Sequence, residues 1–80
     1  MPQLNLYYKT TCPYSAKVLN FMRQNKISVP LKNISEDVKL REELISIGGK
    51  AQAPCLVING KAMYESNDII DWLKNNYRGA

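Results

Sequence analysis

Asn59-Gly60 separates two short apolar runs, Cys55-Leu56-Val57-Ile58 and Lys61 to Tyr64, and constrains the fold of this chain more than any other feature. Both central residues of a type I′ turn need positive φ, which asparagine and glycine tolerate best, so the two runs read as an antiparallel hairpin. The other segments must pack around it. Leu4 to Tyr8 alternates and carries two tyrosines, a strand pattern closed by Lys9-Thr10-Thr11. Pro13 suits a first helical turn, and Val18, Phe21, Met22 and Asn25 recur at helical spacing. Together they predict a helix ending at Asn25-Lys26 with Cys12 at its cap.

Ile27 to Ile34 is β-branched and interrupted by Pro30, which predicts a brief strand over Leu31 to Asn33. Ser35 reads as the N-cap of a second helix, with Glu36 and Asp37 in its first turn and Val38, Leu40, Leu44, Ile45 and Ile47 as its apolar stripe. Gly48-Gly49 stops it. Ser66 reads as the cap of a third helix that buries Ile69, Ile70, Trp72, Leu73 and Tyr77 and ends at Arg78-Gly79. The order is β-α-β-α-β-β-α. A βαβ unit is parallel with a right-handed crossover and a hairpin is antiparallel, so a four-stranded mixed sheet flanked by three helices follows. With 80 residues, 45% of them apolar, there is room for one core, and residues 1–80 read as a single domain.

Eleven Lys and Arg against seven Asp and Glu give a net charge of +4, but the basic residues are scattered. No stripe for nucleic acid is present, and the five tyrosines are accounted for by strands, core and the Cys12 turn. No apolar span reaches membrane length, and the N-terminal residues lack a signal-peptide pattern, so a soluble cytoplasmic monomer is expected, without nucleic-acid or membrane partners. Lys39, Arg41, Glu42 and Glu43 read as a solvated helix face. Two cysteines and no histidine are too few for a structural zinc site, and no metal is expected. A Cys12–Cys55 disulfide is formally open, but a cysteine at a proline turn before a helix reads as reactive in a reducing compartment.

Several amides of the first helical turn lack intrahelical partners and point toward the cap, so a negative charge on the Cys12 sulfur is favoured there. A lowered thiol pKa follows, and Lys9 adds positive potential. Cys55 opens an apolar run and reads as core. In α/β sheets ligands collect at the carboxyl ends of strands, and the first strand runs directly into Lys9, Thr10, Thr11 and Cys12.

Cys12-Pro13-Tyr14-Ser15, preceded by Lys9-Thr10-Thr11, resembles the Cys-Pro-Tyr-Cys active site of glutaredoxins with its second cysteine replaced by serine. The resemblance extends to Gln52-Ala53-Pro54, where the family carries Thr-Val-Pro with a cis proline, to Asn59-Gly60, and to Glu65-Ser66-Asn67-Asp68. It implies a thioredoxin fold and a glutathione-dependent thiol–disulfide oxidoreductase with Cys12 as nucleophile. The glutathione-binding set it implies is Lys9 and Arg41 toward the glycyl carboxylate, Tyr14 along the groove, Thr11, and the Ala53 backbone before Pro54 at the cysteinyl unit. Ser66 and Asn67 would hold the γ-glutamyl end. Asn67 stands where the family usually has aspartate, and Glu65 is the candidate substitute for its charge.

Ser15 cannot resolve a mixed disulfide, because an alkoxide is inaccessible and no O–S linkage forms. The route left is monothiol: Cys12 takes the glutathionyl group from a glutathionylated protein, and a second glutathione regenerates it. Glutathione is then co-substrate, and the partners are glutathionylated or disulfide-containing proteins. Two other readings stay open at this point, a glutathione-ligated iron–sulfur cluster carrier and a non-catalytic glutathione-binding module. The stiff Pro13-Tyr14 turn disfavours the first and the lack of a helical transferase domain disfavours the second.

Overall fold

The structure, a computed structural model, describes residues 3–76. The elements run β1 (Leu4–Tyr8), α1 (Pro13–Gln24), β2 (Leu31–Asn33), α2 (Val38–Gly48), β3 (Cys55–Ile58), β4 (Lys61–Met63) and α3 (Ser66–Asn76), the expected order. They form a four-stranded sheet in the order β2-β1-β3-β4. β1 is parallel to β2, with Leu6 opposite Leu31, and antiparallel to β3, with Tyr7 opposite Cys55. β3 and β4 make the antiparallel hairpin, in which Asn59 and Gly60 have φ of 50° and 84°. Asn59 also exchanges hydrogen bonds with Gln3: its N–H donates to the Gln3 carbonyl and its Oδ1 accepts from the Gln3 N–H, each at 2.9 Å. The turn residue thus extends the central strand pairing as well as reversing the chain.

Alternation along β1 and β3 divides the core into two layers. Leu4, Leu6 and Leu56 face α1 and α3, where Val18, Met22, Ile69 and Leu73 meet them. Tyr7, Cys55 and Val57 face the other way, toward Leu44 of α2 and Ile34. Leu6, Val18, Leu44, Leu56, Ile69 and Leu73 are completely buried, and each such side chain contributes about 1.5–3 kcal/mol of transfer free energy. Two details depart from the periodicity. Asn25, counted with the α1 stripe, is exposed and donates from Nδ2 to the Phe21 carbonyl at 2.8 Å. The Ile27 N–H closes the helix onto the Met22 carbonyl at 2.9 Å, with Lys26 at φ 54°. Ser15, one turn before Val18, is buried instead.

α2 differs most from expectation. Asp37, and not Ser35, is its N-cap, accepting from the Lys39 N–H at 2.9 Å. Ser35 is held in the preceding turn: its N–H donates to Asn33 Oδ1 at 2.9 Å, and its hydroxyl accepts from the Thr10 N–H at 3.2 Å. That turn lets Ile34 reach the core, which shifts the helix start by two residues. The apolar stripe is also narrower. Val38 is 69% exposed and Ile45 and Ile47 are exposed, because α2 meets the sheet along Leu40, Leu44 and Gly48, one residue per turn. Gly48 allows a close approach: a Cβ there would overlap the Tyr64 hydroxyl and come within 2.9 Å of the Ala62 Cβ. Gly49 then ends the helix in the left-handed region, at φ 88°. In α3, Ile69 and Leu73 are buried and Ile70 and Trp72 partly so, and the Ile69 N–H bonds the Glu65 carbonyl, so Ser66 is the first helical residue and Glu65 occupies the cap. Tyr77, Arg78 and Gly79 lie outside the described residues. Among the described residues no helix is long and apolar enough to cross a membrane.

Candidate functional site

Cys12 caps α1 at the end of β1, with extended backbone and Pro13 directly after it. In its thiol form Sγ donates to the Ala53 carbonyl, 3.6 Å away. The Ala53–Pro54 peptide is cis, so the loop before β3 faces the helix terminus and brings that carbonyl to the sulfur. Burial alone would raise the thiol pKa, but it is outweighed. Hydrogen bonds from the Ser15 backbone and hydroxyl, then from the Tyr14 amide, together with the Lys9 charge, stabilise the thiolate and bring the pKa below the ordinary cysteine value. The charged sulfur therefore trades one carbonyl acceptor for a set of donors.

Ser15 is completely buried, and its Oγ also accepts from the Lys9 backbone N–H at 3.2 Å. The hydroxyl thus connects the end of β1, the first turn of α1 and the thiol. Cys55, the other cysteine, is completely buried on the α2 side, and burial pushes its thiol up to about 11. It is a core residue, as its apolar run indicates. Among the described residues no group of acidic, cysteine or histidine side chains is clustered to hold a metal.

A cleft of about 200 Å³ opens beside the thiol. Its walls include six of the residues singled out from the sequence: Tyr14, Ala53, Pro54, Glu65, Ser66 and Asn67. Tyr14 is 64% exposed, an aromatic wall at the entrance, and the first turn of α3 closes the far end. Lys9 and Thr11 lie in the β1–α1 segment and Arg41 is exposed on α2; none of the three is a wall of this cleft. Lys17, Gln52 and Tyr64, which are outside the glutathione-binding set expected from the sequence, complete the lining. Lys17 follows Tyr14 by three residues on α1, a spacing that places both on one side of a helix and was the available signal. Its Nζ donates to Asn67 Oδ1 at 2.6 Å. Tyr64 is fixed by its hydroxyl, which donates to the Lys50 carbonyl at 2.9 Å, while the Lys50 ammonium lies 4.6 Å from the ring centroid.

A larger depression, about 420 Å³, runs between the C-terminal half of α1 and β2. Its lining, which includes Leu19, Met22 and Leu31, contains neither cysteine. On the α2 face, Glu43 accepts from the Tyr7 hydroxyl and from Lys32 Nζ, the latter at 2.7 Å. Glu43 is therefore not part of a purely solvated helix face. The Lys32 and Tyr7 bonds hold its carboxyl below the usual range, and burial first, then Glu43, push the Tyr7 hydroxyl above its own.

A thioredoxin-type sheet with a single activated thiol at the β1–α1 turn, facing the carbonyl that precedes a cis proline, defines a glutaredoxin-like protein. Comparison with known proteins agrees. The profile of the glutathione S-transferase N-terminal domain matches residues 6–80. A glutaredoxin-like 8.6 kDa protein of Clostridium pasteurianum is 27% identical over 64 residues, which is 80% of this chain and 85% of that protein. Among solved structures, glutathione transferase Omega 3C of Trametes versicolor superposes with a TM-score of 0.80 at 25% identity, over 94% of this chain and 34% of the transferase. Oxidized glutaredoxin 2 of Chlamydomonas reinhardtii shares the fold, with a TM-score of 0.67 at 23% identity over 96% of this chain and 76% of that one. The chain belongs to the family of glutathione S-transferase N-terminal domains and is similar to glutaredoxin-like proteins.

Proposed function

We propose that the protein is a glutathione-dependent thiol–disulfide oxidoreductase that works through Cys12 alone and removes glutathione from protein–glutathione mixed disulfides. The Cys12 thiolate attacks the glutathionyl sulfur. The protein thiolate leaves with the electron pair of the broken S–S bond, and a Cys12–glutathione disulfide remains. A second glutathione thiolate attacks that adduct, forming glutathione disulfide and restoring Cys12. In the adduct the tripeptide lies along the cleft, with its cysteinyl unit against Ala53 and Pro54, its γ-glutamyl end at Ser66 and Asn67, and Tyr14 alongside. Glu65 supplies negative charge at that end. Lys9 and Arg41 act on the glycyl side, and Thr11 completes the binding set. The chain works as a monomer in the cytoplasm, where reducing conditions keep Cys12 and Cys55 free.

The observation that carries this reading is the Cys12 thiol at the α1 cap, 3.6 Å from the Ala53 carbonyl and beside a cleft walled by Tyr14, Pro54, Ser66 and Asn67. The buried Ser15 stands where a dithiol enzyme keeps its resolving thiol and cannot displace glutathione from Cys12. A peptide–glutathione mixed disulfide and the corresponding peptide–peptide disulfide, each supplied with glutathione, provide the test. Turnover of the first at least about tenfold faster than the second is expected, since the second must wait for glutathione to do the work of a resolving thiol. Equal rates on the two, or activity that survives Cys12→Ser, would rule the mechanism out.

A further inference from the structure

The loop between α2 and β3, residues 49–54, carries three walls of the cleft, Gln52, Ala53 and Pro54, and presents the Ala53 carbonyl to the Cys12 thiol 3.6 Å away. It runs into β3 at Cys55, which the sheet fixes opposite Tyr7. Its other end leaves α2 through Gly49, in the left-handed region at φ 88°, and is held by a side chain from a different element. Tyr64, between β4 and α3, donates its hydroxyl to the Lys50 carbonyl at 2.9 Å. The same hydroxyl fills the space beside Gly48, where a Cβ would overlap it, and the side chain packs against the core layer of Tyr7, Leu44 and Cys55. Tyr64 is thus enclosed by the end of α2, the loop it bonds and the core, and it is itself a wall of the cleft. A backbone group meets a ligand in productive geometry only when its own support is fixed.

We propose that Tyr64 is a positioning residue for exchange at Cys12: by holding the Lys50 carbonyl, its hydroxyl fixes the loop that offers the Ala53 backbone to the cysteinyl unit of glutathione. The inference rests on the exchange reaction proposed for the same cleft, and Tyr64 acts in it through Ala53 and not on the sulfur. The groups that lower the Cys12 pKa, Ser15, Tyr14 and Lys9, all lie in the β1–α1 segment and the first turn of α1, outside this loop. Reactivity of the thiol and support of the loop are therefore separable by measurement.

The test compares the full chain with two variants. Tyr64→Phe keeps the ring and removes the one hydroxyl, whereas Lys50→Met keeps the main-chain carbonyl and removes the ammonium that lies 4.6 Å from the ring centroid. The rate of adduct formation at Cys12 is followed by mass spectrometry with glutathione disulfide and with hydroxyethyl disulfide, which has no peptide group to pair with Ala53. Dividing the first rate by the second cancels changes in the thiol itself and in the folded fraction, so a merely structural role leaves the ratio where it was. Tyr64→Phe is expected to lower the ratio about threefold to tenfold, the range for one hydrogen bond, with the pH profile of Cys12 alkylation unmoved. Lys50→Met should stay within about twofold of the unmodified chain. A ratio that Tyr64→Phe leaves unmoved, or one that Lys50→Met lowers equally, overturns the assignment while the exchange reading stands. If glutathione disulfide does not outpace hydroxyethyl disulfide in the unmodified chain, the exchange reading falls and this inference with it.

Discussion

Replacing Ser15 by alanine separates the structural and chemical roles of one hydroxyl. Ser15 Oγ is completely buried, accepts from the Lys9 N–H at 3.2 Å and is one of the groups that lower the Cys12 thiol pKa. Removing it leaves the half-buried Lys9 N–H without that acceptor, and a donor left unsatisfied costs up to about 1–3 kcal/mol. A central value of about 2 kcal/mol corresponds to a fall in melting temperature of roughly 8–16 °C for a domain of this size. The volume lost is a single oxygen, so little of that cost is a cavity. The thiol should respond independently: with one thiolate-stabilising hydrogen bond gone, the Cys12 pKa rises relative to the unmodified chain. Urea denaturation gives the first quantity, and the pH dependence of Cys12 alkylation by iodoacetamide gives the second. An unchanged urea midpoint together with an unchanged alkylation profile would refute the reasoning, because it would mean that the hydroxyl supports neither the turn nor the sulfur.

Three further outcomes follow from other parts of the molecule. Gly48→Ala should destabilise by about 1–3 kcal/mol in urea denaturation, since the added methyl collides with Tyr64, which must move or push α2 off the sheet. Lys26→Gly should stabilise by up to about 1 kcal/mol, because glycine adopts φ 54° at no steric cost where the α1 terminus requires it. Glu43 has a lowered pKa in the folded chain, so its contribution is present above its unfolded value and is lost as pH falls through the folded one. Between about pH 6 and pH 3 the urea midpoint of the unmodified chain should therefore drop more steeply than that of Glu43→Gln, the Lys32 and Tyr7 bonds being the source.

The hairpin, the β1–α1 turn and the order of elements were legible because each rests on local chemistry: Asn59-Gly60 on positive φ, Cys12-Pro13 on the missing proline N–H at a helix start. α2 was misread where two local solutions competed. Ser35 and Asp37 both make good caps, and the choice between them was made by Thr10 and Asn33, which bond to Ser35 from outside the helix. Helical spacing also could not reveal how wide a face the sheet would cover, so Val38, Ile45 and Ile47 looked like core and are exposed. Glu43 looked solvated because its partners, Tyr7 and Lys32, are distant in sequence. The cap position of Cys12 follows from its place before Pro13, and the cis proline from the family resemblance, whereas the spacing of Lys17 from Tyr14 gives a shared side of α1 without the α3 neighbour that Lys17 meets.

The central claim is that Cys12 is an activated thiol while Cys55 is inert core. Incubating the reduced chain with glutathione disulfide from about pH 4 to about pH 9, and following the site and rate of adduct formation by mass spectrometry, tests it most directly. The expected result is a single adduct on Cys12 whose formation titrates below the free-thiol value of about 8.5, with Cys55 unmodified until the chain is unfolded. Labelling of both cysteines in the folded chain, or a Cys12 that reacts no faster than an unperturbed thiol at every pH, would contradict the account.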